Sequence, residues 1–165
     1  MKSAIILLSA LFFISCGNYS FSGKSIPPGI DNAQLNVFED NSGRYDLNLP
    51  DIIDEKVAEY IEDYKYFELE NSSEADSKIF GTITNYSEKT ASQDRNEISD
   101  RMLITISVRV NFQNLLNDEF IVRDLNVSET EYFESSGGDI ARDEAFNTLI
   151  DRLSENIVLG LSSNW

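Results

Sequence analysis

The stretch MLITISVRVNF, residues 102–112, sets Met102, Ile104, Ile106, Val108, Val110 and Phe112 in strict alternation with Leu103, Thr105, Ser107, Arg109 and Asn111. Successive side chains of a strand point to opposite faces, so six apolar residues at period two specify one buried face and one polar face. A helix would repeat its apolar residues every third or fourth position instead. The chain must therefore build a sheet that is covered on one side. The polar side, with Arg109, is left to solvent or to a partner.

The flanks extend this reading in both directions. Residues 114–118 make a turn, and 119–127 (EFIVRDLNV) return as the hairpin partner. Upstream, 79–86 (IFGTITNY) is rich in β-formers, and its Gly81 marks a bulge or the close approach of another backbone. The run 88–100 (EKTASQDRNEISD) between these strands is polar and reads as a loop. After Gly137 and Gly138, Phe146, Leu149, Ile150, Leu153 and Ile157 recur at helical spacing from Asp139, the capping residue, to about Leu161. A linker ending at Pro50 precedes another helix, in which Ile53, Val57, Ile61 and Tyr64 share a face and Asp51 is the N-cap. Short strands are expected at 33–38, from the alternation of Leu35 and Val37, and at 66–70.

The result is an α+β, two-layer sandwich in the order β-α-β-β-β-α: a mixed sheet of about four strands with two helices on one face. The helical crossover after the first strand favours parallel pairing there.

Composition removes whole classes of function. The chain of 165 residues has 13 Lys and Arg against 29 Asp and Glu, no histidine and one cysteine. Disulfide frameworks, Cys/His zinc sites and histidine-based triads lack their residues. A formal charge of −16 repels a phosphate backbone, which argues against nucleic acid as a partner. At 41% hydrophobic residues the chain can bury a core, and its length suits one domain.

Acidic residues abound, yet Asp51, Asp54 and Glu55, and Glu129, Glu131 and Glu134, are spaced as helix or strand decoration. No calcium-loop pattern is present. The Gly137-Gly138 pair lacks the lysine and spacing of a phosphate-binding loop, so it reads as a plain turn. No catalytic residue, metal site or cofactor is expected, and the chain is read as a binding protein rather than an enzyme.

The first residues, MKSAIILLSALFFISC, place one cation before an apolar run and a small residue, Ser15, directly before Cys16. This is a signal-peptide layout, and the apolar run is too short to span a bilayer, which needs about 20 residues. Cleavage before a cysteine resembles the bacterial lipobox, with Phe13 where Leu is usual. Residues 1–15 are thus a signal peptide, 16–30 a lipidated tether with Cys16 as the attachment site, and 31–165 a single domain. Loss of Lys2 with the signal leaves 12 basic against 29 acidic residues, a charge of −17. Two or more acyl chains hold a protein on a bilayer durably, so the membrane contact belongs to the lipid. Gly17 after the cysteine, and no acidic run from Gly17 to Ser20, favour the periplasmic face of the outer membrane.

Three stretches together resemble the lipopolysaccharide-assembly lipoprotein family, LptE. They are CGNYSFSGKSIPPGI at 16–30, IFGTITNY at 79–86 leading through a polar loop to RMLITISVRVNFQN at 101–114, and the closing helix with Asn164-Trp165. The resemblance implies a plug inside the outer-membrane β-barrel LptD, helping the barrel assemble and helping place lipopolysaccharide in the outer leaflet. It implies binding and positioning without bond chemistry. The family's basic glycolipid contacts match no position here, and an acidic surface repels anionic lipid A, so direct contact with lipopolysaccharide stays open. Ser92, Arg95 and Arg109 are the candidate partner contacts, since loops and strand ends of a rigid sheet usually make them. The alternative is a periplasm-facing lipoprotein adaptor that binds another envelope protein or peptidoglycan.

Overall fold

The computed structural model describes residues 29–72, 74–91 and 100–163. The alternating stretch forms the centre of the sheet, as its pattern requires. Strand β5 (Arg101–Asn114) pairs antiparallel with β4 (Ser77–Thr90) on one side and β6 (Phe120–Glu134) on the other. Ile104, Ile106, Val108, Val110 and Phe112 are all buried, so the register is the one that the alternation specifies.

Three short strands complete a six-stranded mixed sheet. β1 (Asn32–Leu35), β2 (Glu39–Asp40) and β3 (Glu68–Leu69) give the order β3-β1-β4-β5-β6, with β2 pairing to β4 beyond the end of β1. β1 runs parallel to both β3 and β4, and β2 parallel to β4. Parallel pairing after the helical crossover is thus observed, but the sheet has six strands rather than about four.

The short strand expected at 66–70 forms as β3, and a further strand, β2, forms just beyond the segment 33–38. Expected as one strand, this segment breaks after Leu35, leaves Val37 67% exposed and turns Phe38 into the core. The cause lies in β4. Gly81 has no side chain, and a Cβ there would lie 2.6 Å from Phe38 Cδ1 and closer still to Cε1, with the Arg109 carbonyl at 2.8 Å. Gly81 therefore serves close approach rather than a bulge. The register shift of β4 falls later, between Ile83 and Asn85.

Helix α1 (Leu49–Tyr64) and helix α2 (Gly138–Ser163) cover the apolar face. α1 buries Leu49, Ile53, Val57 and Ile61 at steps of four, while Tyr64 is half-buried. It begins earlier than expected, with Pro50 inside its first turn, where a missing N–H costs nothing. Asn48 rather than Asp51 occupies the N-cap position, and Asp51 accepts a 2.7 Å hydrogen bond from Asn48 Nδ2. The helix ends at Lys65, whose left-handed backbone (φ 53°) lets its N–H reach the Ile61 carbonyl at 3.0 Å. α2 buries Leu149, Ile150, Leu153 and Ile157 as its spacing requires, with Ala145, Val158 and Leu161 added and Phe146 half-buried. Asp139 lies within its first turn rather than before it. The helices are joined by Tyr64 Oη donating to Glu155 Oε1 at 2.6 Å.

Two of the long strands outrun their sequence reading. β4 continues to Thr90, so the polar run begins as strand, and β6 continues seven residues past Val127 to Glu134. Both extensions are polar by composition and are held by pairing with β5, which propensity does not reveal.

Candidate functional site

Because both helices lie on one face, the other face of β4, β5 and β6 is bare among the described residues. β5 lays Leu103, Thr105, Ser107, Arg109 and Asn111 along this face. Hydroxyls pair across the strands: Thr105 Oγ1 with Thr130 Oγ1 at 3.0 Å, and Ser107 Oγ with Ser128 Oγ at 2.9 Å. Such cross-strand pairs hold the register and give a polar surface of small side chains.

Charged groups frame it. Arg109 is exposed and faces Asp124 Oδ1 at 4.0 Å; Arg101 faces Glu134 Oε1 at 3.3 Å and lies over the Tyr132 ring at 4.7 Å. The register also sets Lys78, opposite Gln113, and Lys89, opposite Leu103, on this side. α1, by contrast, carries Asp51, Asp54, Glu55, Glu59, Glu62 and Asp63 against one lysine, Lys56. Net charge conceals this difference: α1 is strongly acidic, whereas the bare face carries Lys78, Lys89, Arg101 and Arg109, with Asp124 and Glu134 beside the two arginines.

The carboxylate groups singled out by sequence do not converge. Asp54 is half-buried on α1 and accepts the Phe38 N–H at 3.3 Å; burial pushes its carboxyl up to about 6, with the Asp51 charge adding to the rise and the hydrogen bond opposing it. Glu129 and Glu131, on the helix side of β6, both meet Arg152 of α2, at 3.6 and 2.8 Å. Arg152 Nη2 also donates to the Thr130 carbonyl at 2.7 Å, so α2 caps the edge of β6. Glu134 turns to the opposite face. The plain turn expected at Gly137 is a 3₁₀ turn, Ser135–Gly137, and Gly138 then adopts φ 60°.

Sequence reasoning missed one cluster. Arg142 of α2 reaches Glu88 Oε1 at 2.7 Å and Tyr86 Oη at 3.1 Å, Tyr86 Oη donates to the same carboxylate, and Arg44 lies 4.9 Å over the Tyr86 ring. Arg142 holds the Glu88 carboxyl below its ordinary range, and burial with that hydrogen bond pushes the Tyr86 hydroxyl up to about 12. These groups satisfy one another and fasten the start of α2 to the end of β4. The signal available in sequence was Glu88 continuing the alternation beyond Tyr86.

Of the candidate contacts, the structure places Arg109 on the bare face; Ser92, Arg95 and Cys16 lie outside the described residues. Among the described residues no helix is long and apolar enough to cross a membrane, and no group of acidic residues is arranged to hold a metal ion.

Neither a protein-family model nor a curated protein matches the sequence. Solved structures do share the fold. A minor lipoprotein of Acinetobacter baumannii is 12% identical with TM-score 0.53, covering 81% of this chain and 92% of its own. A Xanthomonas campestris protein described by the DUF330 family model is 13% identical with TM-score 0.56, over 79% and 85%. An uncharacterized lipoprotein B of Nitrosomonas europaea is 9% identical with TM-score 0.52, over 80% and 79%. At such identity the likeness is one of fold.

Proposed function

We propose that this chain is an envelope lipoprotein, anchored through Cys16 on the periplasmic side of the outer membrane, that plugs an LptD-like β-barrel and takes part in lipopolysaccharide transport. The observation that carries the plug reading is the bare face of three strands of 14, 14 and 15 residues. Ordinary strands have about five or six residues. At about 3.3 Å per residue these run about 45 Å, beyond the roughly 25 Å apolar band of an outer-membrane barrel. A barrel interior is polar, and rows of Ser and Thr with flanking arginines suit such a wall. The sequence resemblance at 16–30 and 79–114 supports the same reading, and the fold is shared with proteins described as lipoproteins.

The function is binding and positioning, without bond chemistry. Lysines and arginines on the bare face also supply what anionic lipopolysaccharide would need, which the net charge of −16 disguised. Asp124 and Glu134 neutralise Arg109 and Arg101 in the free protein, so a ligand must displace them.

Photocrosslinkers at Ser92, Arg95 and Arg109 in cells test the plug. They should trap a barrel protein much larger than this chain, and depletion should reduce assembled barrel. Crosslinks confined to small periplasmic proteins or peptidoglycan, with normal barrel levels, would establish the adaptor alternative. Labelled palmitate should enter the native chain and not Cys16→Ala; equal labelling refutes the anchor.

A further inference from the structure

The turn between β5 and β6 is held by a dense set of hydrogen bonds yet displays leucines. Leu116 N–H donates to Asn114 Oδ1 at 2.8 Å, Glu119 N–H to Asn117 Oδ1 at 3.0 Å, and Gln113 Nε2 to Asp118 Oδ1. Asp118 takes the left-handed backbone, φ 61°. The polar side chains are thus engaged in hydrogen bonds within the turn itself. Leu115 and Leu116 are left 40% and 67% exposed, beside Phe120 at 36%. A hairpin turn has no need of leucines, since Asn, Asp, Gly and Ser make turns by themselves. An exposed apolar cluster on a rigid support marks an interaction surface.

The surroundings identify what lies opposite. Leu115 N–H donates to the Asp76 carbonyl at 2.8 Å, and Asp76 Oδ2 accepts the Asp31 N–H at 3.3 Å. The turn therefore sits at the end of the sheet where the chain comes in from Cys16. Gly29 lies only thirteen positions after Cys16. Fully extended, those thirteen steps span at most about 45 Å, so the lipid anchor holds this end within that distance of the bilayer and raises its local concentration there.

Next to the leucines, Arg123 lies 4.1 Å over the Phe120 ring, Lys78 lies 5.1 Å over Phe80, and the two rings are 6.4 Å apart. Aromatic rings paired with long cations are what headgroup level favours. Asp76, Asp118 and Glu119 outnumber these two cations, so anionic lipid gives no attraction.

We propose that the Leu115–Leu116 turn, with Phe120, docks on the phospholipid surface carrying the anchor, through apolar side chains and zwitterionic headgroups. This rests on Cys16 being the lipid site, so the test supplies the lipid chemically. The chain 16–165 carrying Trp165→Phe is coupled through Cys16 to a maleimide phospholipid in phosphatidylcholine–phosphatidylethanolamine vesicles with brominated acyl chains. Leu116→Trp should shift its emission to the blue and be quenched by bromine. Ser136→Trp, at the opposite end of the sheet, should do neither, and replacing half the lipid with phosphatidylglycerol should weaken the Leu116→Trp signal. Equal, unquenched emission from both positions overturns the proposal, as does a blue shift without bromine quenching, which would mark a second copy or another protein as the occupant. Palmitate labelling in cells decides the anchor separately.

Discussion

Replacing Gly81 with Ala adds one methyl group where β4 passes under the Phe38 ring. The new Cβ would meet Cδ1 at 2.6 Å, Cε1 closer, and the Arg109 carbonyl oxygen at 2.8 Å, all well inside van der Waals contact. Neither neighbour can yield freely. Phe38 is 1% exposed and its N–H is held by Asp54, while the Arg109 carbonyl belongs to the strand paired with Gly81 through Val110. Overpacking of this kind costs about 1–3 kcal/mol. Deleting the ring by Phe38→Ala costs about 3–5 kcal/mol through lost burial and the cavity left behind. In the double variant the methyl group enters the space vacated by the ring, leaving only the Arg109 contact. The combined loss should therefore fall short of the sum by about 1 kcal/mol or more. Urea denaturation of the four proteins, at unchanged m-value, measures this. Additivity within about 0.5 kcal/mol would refute the contact between Gly81 and Phe38 as the reason for the glycine.

Other outcomes follow from the same geometry. Ile106→Asp would place a carboxylate in the fully buried face of β5 and should cost several kcal/mol, whereas Ser107→Asp, on the bare face, should cost far less; equal melting temperatures would remove the register. Asp54 has its folded pKa raised from 3.8 to about 6, so its contribution is complete below pH 3.8 and is lost as pH rises through 6. That displacement is at most about 3 kcal/mol, and solvent screening of a half-exposed carboxylate reduces it to about 1 kcal/mol. Asp54→Asn should accordingly be the more stable protein at pH 7, with its advantage shrinking as pH falls below 6 and vanishing below pH 3.8; a gap in melting temperature that is the same at pH 7 and in that acid range contradicts the shift. Arg142→Gln removes the partner that holds Glu88 ionised, a contribution present above the ordinary carboxylate range and lost as pH falls through the lowered folded value. The variant should lose about 1–3 kcal/mol at neutral pH, and the difference should shrink toward pH 3 in acid unfolding.

The amino-acid order by itself determined those elements whose burial is periodic. Ile104 to Phe112 at period two, and Ile53, Val57 and Ile61 at steps of four, each have one way to place their apolar side chains in a core. The export signal expected before Cys16 is a local reading of the same kind, because such signals are linear segments. Only the tertiary structure decided the rest. Residues 33–38 leave the strand after Leu35, and β2 starts only at Glu39, because Gly81, more than forty positions away, leaves a slot for Phe38. Thr90 and Glu134 end their strands where they do because β5 supplies hydrogen-bond partners that far, although their own sequences are polar. The bare face carries its lysines and arginines, and α1 its acids, although the net charge predicts acidity everywhere. Charge is a sum over residues, whereas the field that a partner meets depends on which side of the sheet each residue occupies.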